Sequence, residues 1–228
     1  MNRQQPYSLY LFGSSGRAEL NSSSDTDILV LVHSGQEFVR ESVILPSCVK
    51  DAEGAIDLTY YSENRIREMH AVGHLFVWHL YLEAKFMGGC YDALQELGKP
   101  NDYMSFEEDV LPLAELLESS IDEIDKHPGN IAYEAGLAFV CARNIAMSAS
   151  YYTEKGLTFS PYAPFLRDWG HIEFPISKRR YDELRLARLS TTRGGEPPEL
   201  QQDDLKDDIA QIRQWASAVI AQTKELCL

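Results

Sequence analysis

The sequence predicts an α+β protein: a small mixed-sheet domain over residues 1–100 followed by an all-α helical bundle over residues 101–228. Three observations lead there. Short apolar runs at residues 7–12, 27–32 and 55–61 have the length and alternation of strands. The stretch Leu97-Gly-Lys-Pro-Asn-Asp102 gathers helix and strand breakers in one place. Beyond it the apolar residues recur at helical spacing almost throughout.

The first domain opens on a buried strand, Leu9 to Phe12, ended by Gly13-Ser14 and followed by a helical turn near residues 15–20. A second apolar strand runs over 27–32, and a helix is expected around 36–44. In Ala55-Ile-Asp-Leu-Thr-Tyr-Tyr61, Ile56, Leu58 and Tyr60 face one side of a strand and Asp57, Thr59 and Tyr61 the other. Ser62 then caps one long amphipathic helix reaching residue 82, with Glu-Ala-Lys-Phe-Met-Gly-Gly-Cys90 behind it as a short strand or turn.

In the second domain Ser105 and Glu108 have capping-box spacing and start a helix over 105–126, stopped by His127-Pro-Gly129. A second helix is expected over 130–155, ended by Gly156. Shorter helices follow at 161–169 and 176–189. Thr191-Thr-Arg-Gly-Gly-Glu-Pro-Pro198 then links them to a last helix over 203–226. Antiparallel helices joined in this way make a bundle.

The chemistry concentrates at the first two strands. Gly13-Ser14 ends an apolar strand where backbone amides and the Ser14 hydroxyl can face a phosphate at the start of a helix. Asp25 and Asp27, two apart at the head of the next strand, project from one face. Two hard oxygen ligands on one face suit Mg²⁺, which fills the rest of its shell with water and substrate phosphates.

Here the chain resembles the nucleotidyltransferases of the DNA polymerase β-like superfamily. Their signature is Gly-Ser, a spacer, then Asp-x-Asp, matched by Gly13, Ser14, Asp25 and Asp27. The resemblance implies a third carboxylate on a neighbouring strand, at Asp57, sharing a metal and helping to deprotonate the acceptor. Many relatives carry Arg directly after Gly-Ser. This chain has Ser15 there, so its first basic residue, Arg17, takes the place of a triphosphate contact. A minimal head followed by helices is similar to the aminoglycoside adenylyltransferases, kanamycin nucleotidyltransferase among them. The activity implied is Mg²⁺-dependent transfer of a nucleoside monophosphate, AMP from ATP, to a hydroxyl of a small acceptor such as an aminoglycoside. Two alternatives remain: a protein or tRNA acceptor in a toxin–antitoxin or defence system, and a catalytically silent nucleotide-binding module.

Some relatives with antibiotic substrates use a glutamate from the helical domain as general base. Glu134 is the candidate, beside Ile131, Ala138, Cys141 and Ile145 at the margin of an apolar face from which Arg143, Asn144 and Met147 point away. Its other reading is a first-turn acid favoured by the helix dipole. His70 and His74 stand four apart without the glutamate of a zinc-protease helix, and read as a polar helix face. Lys178-Arg179-Arg180 reads as a solvated helix start, and Tyr151, Tyr152, Tyr162 and Trp169 as core and interface aromatics.

A net charge of −14 argues against stable binding to duplex nucleic acid, whose affinity comes from clustered Lys and Arg. Residues 101–228 hold 22 acidic and 13 basic side chains, against 13 and 8 in residues 1–100. The acidic excess fits either a solvated surface or a cationic acceptor. Cys48, Cys90, Cys141 and Cys227 show no metal-ligand spacing and read as reduced core residues. With no apolar run of membrane-spanning length and no hydrophobic leader, a cytoplasmic location is expected.

Overall fold

The computed structural model describes residues 6–13, 26–33, 40, 43–46, 56–166, 169 and 171–226. The architecture is α+β, a small mixed sheet followed by a helical bundle. Internal contacts divide the chain into Met1–Met104 and Ser105–Leu228.

The first unit is built on four strands, β1 (Tyr7–Phe12), β2 (Thr26–Val32), β3 (Ile56–Ser62) and β4 (Lys85–Gly89), in the order β3-β2-β1-β4. β1 runs antiparallel to β2 and β4, and β2 runs parallel to β3. Alternation sends Tyr7, Leu9, Ile28 and Val30 to one face, where Ile56, Leu58 and Tyr60 join them. It sends Tyr10, Phe12, Leu29 and Leu31 to the other, against Ile66, Leu80 and Ala93 of the helices. The central strands β1 and β2 are therefore covered on both sides, which explains their nearly unbroken apolar sequence.

Ser62 caps α1 (Glu63–Ala71), accepting from the Arg65 amide. The expected single helix over 62–82 is two helices, because the chain breaks at Gly73 and restarts as α2 (Leu75–Glu83). Gly73 has φ +66° and lies so close to the Asn101 and Asp102 carbonyls that a Cβ would collide with both. His74 is consequently the cap of α2, its Nδ1 accepting from the Phe76 amide at 3.0 Å. His70 and His74 thus belong to different elements and do not form a helical pair. The edge strand β4 is followed by a short helix, α3 (Ala93–Leu97), which the sequence reading did not resolve. The buried Tyr10 hydroxyl pins it, donating to Asp92 and accepting from the Leu94 amide, both at 3.2 Å. The expected turn at 15–20 lies outside the described residues, as does most of the expected helix at 36–44.

A polar network ties β1, β2 and α1 together at the far end of the sheet. Ser8 Oγ donates to the Tyr91 carbonyl at 2.6 Å and lies 2.9 Å from His33 Nε2. His33 Nδ1 is 3.1 Å from Glu63 Oε2, and Arg67 donates to Glu63 Oε1 at 2.6 Å. Burial works to raise the Glu63 carboxyl, but its hydrogen bonds from Arg67, His33 and Tyr91 prevail and hold it below the usual carboxylate range.

The second unit is helical: α4 (Phe106–Lys126), α5 (Ile131–Ser150), the short α6 (Ala163–Leu166), α7 (Lys178–Arg193) and α8 (Gln202–Leu226). α5 packs against α4, α6, α7 and α8. Gly136 lets its backbone approach α7, where a Cβ would come within 2.8 Å of Arg188 Cα. Helices on several sides bury α5 almost all round, and Met147, expected to face outward, is buried with the rest. Two boundaries also differ from expectation. Ser105, at φ −89° and ψ 26°, makes no side-chain cap, so the capping box does not form. α5 stops at Ser150, where the serine hydroxyl turns back to the Met147 carbonyl and accepts from the Thr158 amide.

Candidate active site

The parallel pairing of β2 and β3 sets Asp27 directly opposite Asp57. Facing residues of adjacent strands project from the same side of a sheet about 4.8 Å apart, so the two carboxylates stand next to each other. Asp57 is exposed and Asp27 half-buried. In the antiparallel pairing on the other side of β2, Asp27 faces Phe12. Phe12, Asp27 and Asp57 thus form a row across three strands.

Gly13 follows Phe12 with φ +71° and packs so closely on Asp27 that a Cβ would overlap its Oδ2. Any other residue would strain the turn and displace the carboxylate. Of the other residues singled out by sequence, Ser14, Arg17 and Asp25 lie outside the described residues.

The row is backed by α2. Phe12 meets Phe76 edge-on with ring centroids 6.0 Å apart and His79 at 5.7 Å. His79 Nε2 lies 2.9 Å from Glu83 Oε2, with both side chains mostly buried. This imidazole–carboxylate pair behind Phe12 was not singled out by sequence. The i, i+4 spacing of His79 and Glu83 was available as a signal, but the expectation of one unbroken helix left its orientation undefined.

Two adjacent carboxylates at the end of a parallel strand pair repel each other and are relieved by a shared cation. Their hard oxygens fit Mg²⁺, which Asp27 and Asp57 would hold together with substrate oxygens. Among the described residues no three His, Cys, Asp or Glu side chains gather around one point.

Glu134 belongs to the second unit, in the first turn of α5, and is 5% exposed. It is buried on the same side of the helix as Ala138, Cys141 and Ile145, more deeply than the partial burial expected. Burial first, and then the Glu134 charge, push the neighbouring Cys141 thiol up to about 12. Cys141 is a free, buried thiol and Cys90 is half-buried. No helix among the described residues is long and apolar enough to cross a membrane.

No known family's sequence profile matches the chain, and no curated protein matches it. Among solved structures it shows a distant similarity to a spectinomycin adenyltransferase from Enterococcus faecialis determined with ATP and spectinomycin. That similarity has 15% identity, 95% coverage of this chain, 93% coverage of the other and a TM-score of 0.46.

Proposed function

We propose that the chain is a Mg²⁺-dependent nucleotidyltransferase that moves a nucleoside monophosphate, AMP from ATP, onto a hydroxyl of a small cationic acceptor. The observation that carries this reading is the side-by-side placement of Asp27 and Asp57, with Gly13 packed against the first. In the reaction the acceptor oxygen attacks the α-phosphate in line, the bond to pyrophosphate breaks, and the acceptor proton leaves to a base. Asp27 and Asp57 would hold Mg²⁺, which when bound would supply neutralisation of the triphosphate charge.

The chain's own groups divide the remaining work. Gly13 and Ser14 would offer backbone amides and the Ser14 hydroxyl to the phosphates, and Arg17 would add a cation. Asp27 of β2 and Asp57 of β3 would be metal ligands, together with Asp25, two residues before Asp27 in the sequence. The exposure of Asp57 and the burial of Glu134 favour Asp57 as the proton acceptor.

The test is a transfer screen with labelled nucleoside triphosphates against aminoglycosides, cell-extract protein and tRNA, with and without Mg²⁺. Label on an aminoglycoside from ATP is the expected result. Label on protein or tRNA would move the acceptor to a macromolecule, and nucleotide binding with no transfer to any of them would make the head a nucleotide-binding module.

A further inference from the structure

Residues 164–165, 169 and 171–174 line a cavity of about 400 Å³, within the range of small-molecule sites. Its walls include Phe165, Trp169 and Phe174, with His171 and Glu173 also lining it. The rings are fixed from behind. Phe165 and Phe174 meet edge-on at 4.9 Å, and Phe174 stands edge-on to Trp215 of α8 at 4.9 Å. Both phenyl rings also contact Tyr181 of α7, and Trp169 Nε1 donates to the Pro164 carbonyl. A set of rings held this way is already ordered before anything binds.

Three features distinguish the cavity from ordinary packing. Phe165 remains 37% exposed although Tyr181, which it meets edge-on, is fully buried. His171 has φ 76°, a left-handed conformation uncommon for non-glycine residues. Behind the wall, Trp215 is 3% exposed and its indole N–H has no hydrogen-bond partner among the described residues.

The chemistry of the lining selects the ligand. Aromatic faces carry negative quadrupole charge and attract ammonium groups, and the exposed Glu173 carboxylate supplies a counter-charge. The second half of the chain, with 22 acidic against 13 basic side chains, adds a long-range field of the same sign. We infer that this cavity is a binding site for a small organic cation, a substituted ammonium with an apolar body. The inference does not rest on the transfer reaction.

The test uses the full chain and two probes of nearly the same shape, choline and its neutral isostere 3,3-dimethylbutan-1-ol, followed by calorimetry and by the indole N–H signals of the three tryptophans. Choline should bind saturably, at least about tenfold more tightly than the isostere. It should shift the Trp169 and Trp215 signals and leave Trp78, in the first unit, unmoved. Glu173→Gln, at an exposed position, should weaken choline binding by about fivefold or more with the fold intact by circular dichroism. Phe165→Ala should weaken it further. Equal affinity for the two probes, choline binding indifferent to Glu173→Gln, shifts confined to Trp78, or no saturable binding would each overturn the assignment.

Discussion

At Asp57 a single oxygen-for-nitrogen exchange separates chemistry from folding. The side chain is exposed on the β3 edge and faces Asp27 across the ladder. Under the proposed reaction Asp57→Asn should cut Mg²⁺-dependent transfer by roughly 10²-fold or more, since it would remove both a ligand charge and the proton acceptor. Its melting temperature should hold or rise, because one carboxylate no longer repels another. Transfer assays beside thermal melts check both halves. Glu134→Gln should do the reverse. With the carboxylate buried in α5, turnover should stay within about threefold of the parent while stability changes by up to about 1 kcal/mol. Steady-state kinetics and denaturant melts on that variant decide it. Sequence made Asp57 legible because Ile56, Leu58 and Tyr60 left only one face open to it. The depth of Glu134 was not legible, since a helical wheel describes one helix and α5 is buried by the helices packed around it.

The elements follow the sequence wherever local chemistry sets them and depart from it where a distant segment intervenes. Ser62 caps α1 as its type predicts, whereas the break between α1 and α2 is imposed by the approach of Asn101 and Asp102 to Gly73. No periodicity in residues 62–82 announces that contact. Gly73→Ala combines a strained φ with a collision against backbone and should destabilise the first unit by about 1–3 kcal/mol, measured as a drop in the urea midpoint at constant slope. The clasp at the other end of the sheet has a pH signature. Glu63 is held below its unfolded value near ~4.3, so its contribution is present in full above that pH and disappears as the pH falls through the lower, folded value. Stability should therefore decline in acid below about pH 4, and Glu63→Gln should flatten that decline in melts between pH 3 and 6.

At the scale of the whole molecule the strongest signal is charge. A net −14, weighted toward the helical half, should draw a cationic acceptor over distances comparable to the Debye length of ~10 Å at 0.1 M salt. The KM for such an acceptor should rise several-fold between about 50 and 300 mM salt while kcat changes little, and a neutral acceptor should show no such rise. The order of the two halves was legible from the breakers at residues 97–102, because the change from strand to helical period is itself a sequence property. The register of β2 on β3 carries a different kind of consequence. The apolar pattern that buries Ile28, Val30, Ile56 and Leu58 on one face also fixes where Asp27 and Asp57 point. Mutational drift among Val, Ile and Leu can therefore rewrite much of the head without moving the pair, because selection for stability alone preserves it. A one-residue deletion within β3 would invert Asp57 to the apolar face and be removed as a folding defect. Asp57→Asn would pass that filter unnoticed. Descendants with and without the proposed activity would then share one backbone, told apart by the identity of side chains such as Asp27 and Asp57.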